Sequence, residues 1–198
     1  MQSGNGGPVP VLERIDENLA DSLMRVFELV RIPSISTDPA YAGDCRKAAG
    51  WLVAELDLLG FDASLRETPG HPMVVAHHDG PSPDAPHVLF YGHYDVQPVD
   101  PIELWDSDPF NPEVRDGPHG GKIITGRGIA DDKGQLMTFV EACRAFKEVR
   151  GELPCRVTIL FEGEEESGSP SLKPFLEANA DELRADYALV CDTAMWDA

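Results

Sequence analysis

Residues 159–169 have the sequence ILFEGEEESGS, in which three apolar residues lead directly into a run of glutamates. The apolar part ends a buried strand that we predict over residues 156–161. A solvated charge run usually lies on a helix face or in a tail, so its position at the end of a core strand is informative. Carboxylates this close together repel one another, and a divalent cation would compensate them. An acidic surface turn is the alternative interpretation.

The segments around this stretch alternate between strands and helices, which favours an α/β fold: a three-layer sandwich with a largely parallel sheet between helices. The Gly/Pro-rich start predicts a flexible segment over residues 1–15, followed by one domain over 16–198. Residues 99–121 are rich in Pro, Gly and Asp and are expected to be a long loop. Helices are predicted over 16–30, 45–59, 134–149 and 171–178, and strands over 61–67, 73–77, 87–91, 156–161 and 187–191.

Composition excludes several classes of partner. The chain has 16 Lys+Arg against 35 Asp+Glu, a net charge of −19. Such a surface repels phosphate, so neither nucleic acid nor an anionic membrane is expected as a partner. The Gly/Pro-rich start has neither an apolar run nor a basic region, so we expect no signal peptide, and no apolar run approaches membrane-spanning length. Its 4 cysteines form no CxxC pair, which favours a reduced compartment, and we expect the cytoplasm.

A histidine follows a second apolar strand. Residues 89–95 have the sequence LFYGHYD, so His93 and Asp95 come directly after the strand. Imidazole is a good zinc ligand, and a neighbouring carboxylate can fix its tautomer by accepting the other ring N–H. A single histidine at a strand end is more often a hydrogen-bonded structural residue, so this motif needs support from others.

Residues 126–134, GRGIADDKG, place an acidic pair before a predicted helix. The glycines let the backbone turn sharply and approach a bound group. Asp131 and Asp132 lie at the helix start, where negative charge also offsets the helix dipole, so a capped helix start is the alternative interpretation. A phosphate loop is disfavoured because the Walker A spacing is absent and both aspartates would repel phosphate.

A lone aspartate, Asp192, follows the last predicted strand. Ligands of open α/β sheets bind beyond the carboxyl ends of the strands, so His93, Asp131, the glutamates and Asp192 are expected to converge there. One imidazole with several carboxylates suits zinc first and manganese second.

Such a site has a recognisable chemistry. Two ions ~3.5–4 Å apart, sharing a carboxylate and a water, would polarise an amide carbonyl and supply hydroxide near neutral pH. A glutamate beside them can take the proton of the water and pass it to the leaving amine. The adjacent Glu165 and Glu166 fit this division, one binding metal and one moving the proton.

Three motifs in this order resemble the co-catalytic zinc family of carnosinase-type dipeptidases, aminoacylases, glutamate carboxypeptidase, acetylornithine deacetylase and succinyl-diaminopimelate desuccinylase. They are YGHYDVQP (91–98), GRGIADDKG (126–134) and EEESGS (164–169), within the last half of the chain. The first motif, with Trp105 and the DPF of 108–110, is most similar to the dipeptidase branch.

The resemblance implies a ligand set. By similarity, His93 would bind one zinc ion, which Asp192 would also hold. Asp131 would bridge both ions, through a cis peptide bond to Asp132, and Glu166 would bind zinc as well. The resemblance also implies two catalytic roles: Glu165 as the general acid/base, and Asp95 orienting His93 from outside the coordination sphere.

The family carries a further zinc-binding histidine late in a much longer chain, and an inserted lid domain that dimerises. This sequence ends at Ala198, soon after Asp192. We therefore expect 16–198 to be the N-terminal portion of a catalytic domain that is inactive in isolation. The full-length parent would be a homodimer acting on a small peptide or an N-acyl amino acid.

Two other hypotheses remain open at this point. One is a non-catalytic binding or scaffolding homologue with the same fold, against which the intact motifs argue. The other is a magnesium-dependent phosphoryl hydrolase built from the same carboxylates, which would leave His93 without a role.

Overall fold

The computed structural model describes residues 7–193. The helices of this part are α1 (Val9–Glu17), α2 (Leu19–Val30), α3 (Ala42–Leu58), α4 (Lys133–Arg150) and α5 (Leu172–Ala178). Its strands are β1 (Asp62–Arg66), β2 (Met73–His78), β3 (His87–His93), β4 (Glu113–Asp116), β5 (Lys122–Thr125), β6 (Arg156–Glu162) and β7 (Tyr187–Val190). Among these residues, no helix has both the length and the apolar character needed to cross a membrane.

The main sheet has the strand order β1-β2-β6-β3-β7. Strand β3 is parallel to both β6 and β7, whereas β2 is antiparallel to both β1 and β6. The α/β fold class is confirmed, but the sheet is mixed rather than largely parallel. The physical reason is that no α-helix lies between β1, β2 and β3 in the chain, and a parallel neighbour would need a long crossover connection.

Helices cover the sheet on both faces, as a three-layer sandwich requires. On one face α3 and α4 enclose the main core, which includes Leu52, Leu56, Phe90, Val140 and Ile159, all fully buried. Each such side chain contributes about 1.5–3 kcal/mol relative to an exposed one. On the other face, the short helix α5 packs over a smaller cluster of Met73, Val75, Leu160 and Leu183.

The N-terminal segment differs from the expectation. Helix α1 (Val9–Glu17) begins inside the segment that we expected to be flexible, residues 1–15, and the predicted helix over 16–30 is divided at Asn18. Prolines at a helix start cost no hydrogen bond, so the Pro-rich sequence tolerates this helix. Val11 is buried, and Arg14 Nε donates a hydrogen bond to Glu148 Oε2 at 2.7 Å on α4. Residues 1–6 lie outside the described residues.

The expected loop over residues 99–121 contains structure that the sequence pattern did not indicate. Strand β4 pairs antiparallel with β5, and Gly120 and Gly121 take positive φ values of 89° and 76° in the turn between them. Each strand has only 4 residues and is largely exposed, so neither carries the apolar alternation that marks a half-buried strand. The other predicted elements agree to within about three residues at each end, and Gly60 follows α3 with φ +76°, as expected of a helix C-cap.

Candidate metal centre

The carboxyl ends of β3, β6 and β7 form one edge of the sheet, called here the carboxyl edge. His93 is the last residue of β3 and pairs with Glu162, the last residue of β6. Asp192 follows two residues after β7. Because these three strands run in the same direction, residues far apart in the sequence meet at this edge.

His93 is fully buried, and its two ring nitrogens face different partners. Nδ1 lies 3.3 Å from Asp95 Oδ1 and 3.1 Å from the Asp95 carbonyl oxygen. Nε2 lies 3.0 Å from Asp131 Oδ1, 3.7 Å from Asp192 Oδ2 and 4.0 Å from Glu165 Oε2. One nitrogen is thus held by Asp95, while the other points into a group of carboxylates. His93, Asp131, Glu165 and Asp192 are called here the carboxylate cluster.

The protonation of His93 reflects this surrounding charge. Burial disfavours the imidazolium form, but the hydrogen bond to Asp95 and the charges of Asp95, Asp132 and Asp131 outweigh it and raise the pKa of His93 to about 10. In the absence of a cation, a proton on His93 therefore compensates the nearby carboxylates. A metal ion would have to displace that proton.

The carboxylate cluster fits a divalent cation. Within the part of the chain that the structure describes, His93, Glu165 and Asp192 each offer one ligand atom, all within 4.8 Å of one another. Partial burial raises the pKa of Glu165, and Asp192, Asp95 and Asp131 raise it further while His93 opposes them. Imidazole with carboxylate oxygens is a donor set that zinc and manganese accept.

Asp95 has a second task beyond the orientation of His93. Its carboxylate is fully buried; Oδ1 accepts the backbone N–H of Glu165 at 3.2 Å, and Oδ2 accepts that of Glu166 at 3.1 Å. These two N–H groups begin the short 3₁₀ turn Glu165–Ser167. One carboxylate therefore connects the histidine to the turn that carries Glu165, the predicted general acid/base, and Glu166, a predicted metal ligand.

The aspartate pair before α4 divides into an exposed and a buried residue. The peptide bond from Asp131 to Asp132 is cis. The Asp131 side chain is 62% exposed and contacts His93, whereas Asp132 is buried and its Oδ2 accepts the His93 backbone N–H at 2.9 Å. A Cβ at Gly92 would lie 2.7 Å from Asp132 Oδ2, so glycine permits this close approach.

Lys133, which sequence reasoning passed over, supports the same turn. Its side chain is fully buried, and Nζ donates to the carbonyl oxygens of Leu29 at 3.1 Å and Ile32 at 2.7 Å. Burial lowers the pKa of Lys133 to about 7. The lysine thereby ties the Asp131–Asp132 turn to the end of α2. Its only sequence signal was its place in the GRGIADDKG motif.

Glu166 lies beside the carboxylate cluster and has a different partner. Its Oε2 accepts a hydrogen bond from Gln97 Nε2 at 2.7 Å. Burial raises the pKa of Glu166, while this hydrogen bond opposes the rise. The structure therefore brings His93, Asp131, Glu165 and Asp192 together around His93 Nε2, with Glu166 held next to them by Gln97.

The other two glutamates of the acidic run have structural partners. Glu162 is fully buried and accepts hydrogen bonds from the Tyr91 hydroxyl and from Ser169 Oγ. Glu164 Oε2 accepts the backbone N–H of Ser171 at 3.2 Å. Both contacts shape the loop that carries Glu165 and Glu166, so the run is neither a plain acidic turn nor a set of four equivalent ligands.

Three of the other histidines contact groups away from the carboxylate cluster. His77 Nδ1 and His87 Nε2 lie 3.0 Å and 2.8 Å from Thr158 Oγ1. His71 Nε2 lies 3.1 Å from the Ser36 carbonyl oxygen. The four cysteines are free thiols.

Comparison with known proteins places this geometry in a family. The profile of Peptidase family M20/M25/M40 matches residues 89–198. The Cys-Gly metallodipeptidase dug1 of Schizosaccharomyces pombe is 32% identical over 91% of this chain, and the Beta-Ala-His dipeptidase of Homo sapiens is 30% identical over 99% of it. The chain spans 40% and 41% of the length of these relatives.

Solved structures agree with the sequence relatives. Human carnosine dipeptidase 1 superposes with a TM-score of 0.86 at 28% identity, covering 93% of this chain and 41% of that one. The di-peptidase Dug1p from Saccharomyces cerevisiae superposes with a TM-score of 0.82 at 29% identity, covering 93% and 41%. The fold and the sequence together lead to one conclusion: the chain belongs to Peptidase family M20/M25/M40.

Proposed function

We propose that the full-length protein is a zinc-dependent hydrolase that cleaves the amide bond of a dipeptide or an N-acyl amino acid. The observation that carries the proposal is the convergence of Asp131, Asp192 and Glu165 on His93 Nε2, at 3.0, 3.7 and 4.0 Å. The relatives named for Cys-Gly and Beta-Ala-His dipeptides support a dipeptide as the substrate class.

The chain's own residues would hold two zinc ions, with manganese as the alternative metal. His93 and Asp192 would hold one ion, Glu166 would hold the other, and Asp131 would contribute its carboxylate to both. When bound, such ions polarise a carbonyl and lower the pKa of a water molecule. Asp95 accepts the Nδ1 proton of His93, which leaves Nε2 free as a ligand.

Glu165 is proposed as the proton carrier. Its carboxylate side chain lies 4.0 Å from His93 Nε2 and is 37% exposed, so a substrate can reach it from solvent. Its raised pKa, from burial and from neighbouring carboxylates, brings it closer to the neutral range in which proton transfer is efficient. Glu165 takes the proton from the attacking water and gives it to the leaving amine.

Activity is proposed for a longer protein than this chain. Because the chain spans about 40% of its curated relatives, we propose that it is the N-terminal portion of the catalytic domain, which starts with helix α1 at Val9 rather than at residue 16. We also propose that this portion alone does not turn over substrate, and that the full-length protein is a cytoplasmic homodimer. Robust dipeptide hydrolysis by the purified 198-residue chain would contradict the inactivity of the fragment.

The direct test is Glu165→Gln in the full-length protein. The amide cannot carry the proton, so kcat should fall about 10²–10⁴-fold while the zinc content stays unchanged. Hydrolysis of Cys-Gly and β-Ala-His, with zinc content by mass spectrometry, measures both. Unchanged kcat would remove Glu165 from this role. A wild type that binds zinc but cleaves none of a panel of dipeptides and N-acyl amino acids would favour the scaffolding homologue.

A further inference from the structure

Two glutamines flank the carboxylate cluster, and each donates a hydrogen bond to a segment that carries a proposed metal ligand. Gln97 Nε2 lies 2.7 Å from Glu166 Oε2 and 3.2 Å from the Glu166 carbonyl oxygen. Gln135 Nε2 lies 2.7 Å from the carbonyl oxygen of Thr193, the residue after Asp192. Neither glutamine has a part in the proposed reaction.

The chemistry of the partners fixes which amide atom makes each contact. A carboxylate oxygen and a carbonyl oxygen only accept hydrogen bonds. The atom of Gln97 that faces Glu166 must therefore be the NH₂ nitrogen, and the same holds for Gln135 and Thr193. Each glutamine is thus a directed donor toward a ligand-bearing segment.

The residues on both sides of Gln97 have hydrogen-bonded backbones, although the Gln97 side chain is exposed. On one side, the buried Val96 donates its N–H to the Ser34 carbonyl oxygen at 3.0 Å. On the other side, Arg127 donates to the Pro98 carbonyl oxygen at 2.9 Å and stacks over the Trp105 ring at 5.2 Å. The position of the Gln97 backbone is therefore set by contacts that do not involve Glu166.

A fixed donor changes how Glu166 can bind a cation. A glutamate side chain has several rotamers, and ordering it costs conformational entropy. The two contacts from Gln97, to the carboxylate and to the carbonyl of the same residue, hold one oxygen of Glu166 in place and leave the other free. Metal ligands generally depend on such outer partners, whose loss weakens metal binding about 10- to 100-fold.

We propose that Gln97 is a positioning residue that prepares Glu166 for one of the two metal ions, whereas Gln135 holds the Asp192 segment for the other ion. The assignment rests on the proposed function, since it presumes two ions with Glu166 on one and Asp192 on the other. It adds that a different glutamine would position a ligand of each ion without binding the ion itself.

The test is a Co²⁺ titration of the metal-free full-length protein, followed by visible absorption and calorimetry. Wild type should bind two Co²⁺ ions in two resolved steps. Gln97→Met keeps the length of the side chain but removes its donor, so it should weaken one step about 10- to 100-fold. The other step should stay within about threefold of wild type, because Gln97 makes no contact with Asp192 or His93.

Gln135→Met is the matched comparison, because it removes the same donor on the other side of the cluster. It should weaken the step that Gln97→Met leaves unchanged. Far-UV circular dichroism and metal-free thermal melting should be unaltered for Gln97→Met, since this side chain is exposed. These controls separate positioning of a ligand from support of the fold.

Three results would overturn the inference. The first is that Gln97→Met binds both ions as tightly as wild type does. The second is that both variants weaken the same binding step, and the third is that one variant weakens both steps equally. A different failure would appear in the wild type itself: binding of fewer than two Co²⁺ ions would end the two-metal proposal and this inference with it. The wild-type titration therefore distinguishes failure of the proposed function from failure of the assignment to Gln97.

Discussion

Two groups of acidic residues in this molecule differ in what compensates them. Between α2 and α4, Glu141 accepts hydrogen bonds from Ser22 Oγ at 2.8 Å and from Arg25 at 2.8 and 2.6 Å, and Arg144 bridges Glu141 to Glu55. We call these five residues the arginine network. At the carboxyl edge, by contrast, the carboxylate cluster contains three carboxylates and, as its only cationic group, His93.

The pKa of the glutamate is lowered in the arginine network and raised at the carboxyl edge. Burial alone would raise the pKa of Glu141, but the hydrogen bonds from Arg25 and Ser22 and the charge of Arg144 lower it. Glu165 and Glu166 have raised pKa values, because burial adds to the repulsion of neighbouring carboxylates. In the arginine network, arginines compensate the charge of Glu141, whereas the carboxylates around His93 have its imidazole as their compensating group.

The largest expected effect is on metal binding. His93→Ala in the full-length protein removes the one imidazole of the carboxylate cluster, so Zn²⁺ affinity should fall by more than the about 10- to 100-fold typical of losing an outer partner. Zinc titration of the metal-free protein measures the loss. His77→Gln, at the opposite end of the same sheet, is the control and should bind zinc as wild type does. Equal affinity in the His93 variant would contradict the site.

A smaller effect is expected in the arginine network. Arg25→Met leaves Glu141 partly buried with only Arg144 and Ser22, and should lower the free energy of unfolding by about 2 kcal/mol. Losing one partner of a fully buried pair costs about 3–5 kcal/mol, and here Arg25 is partly exposed and Arg144 remains. Urea denaturation measures the change, and zinc affinity should not change.

The matched control for this variant is Arg46→Met, which breaks the exposed pair of Arg46 and Glu67. Exposed ion pairs contribute little, so no measurable change in stability is expected. If the two variants lost equal stability, burial would not be what distinguishes the arginine network.

A further expected effect is a pH dependence of opposite sign in the two groups. In the metal-free protein the pKa of His93 is about 10, against about 6.5 when unfolded. Protonated His93 therefore stabilises the fold fully below about pH 6.5, and this contribution is lost as the pH rises toward 10. The pKa of Asp132, raised to about 6 mainly by burial, acts with the same sign. Glu141, with its lowered pKa, instead loses its contribution as the pH falls below about 4.3.

Denaturation of the metal-free wild type and of His93→Gln between pH 6 and 9 isolates the histidine. The stability of wild type should fall more steeply with rising pH than that of the variant. Zinc should abolish the difference in slope, because a ligating imidazole carries no proton on the ligand atom. Parallel slopes in the metal-free proteins would contradict the raised pKa of His93.

Much of the fold could be predicted from local pattern. Helix α3, helix α4 and strand β6 all lie where the pattern of their apolar residues predicted them. The β4–β5 hairpin was missed because its short exposed strands bury too little to show a period. The direction of β2 was missed because it depends on how neighbouring strands pair, which no residue of β2 encodes alone.

The candidate site divides in the same way. The sequence showed metal-binding residue types at the ends of predicted strands and before a predicted helix. The structure brings four of these side chains together: His93, Asp131, Glu165 and Asp192. The roles assigned to them stay predictions. Lys133 and Gln97 were not singled out, since a lysine or a glutamine has no sequence signature for burial or for a directed hydrogen bond.

By itself, the sequence determined the chemistry that is available: one imidazole and several carboxylates placed at the ends of apolar segments, in an order that resembles a known zinc family. Only the tertiary structure decided which carboxylates face His93 and which face Tyr91, Ser171 or Arg25. The physical reason is that strand pairing and burial act over the whole chain. They bring residues about a hundred positions apart to within 4 Å, and such distances decide which carboxylates can act together with His93.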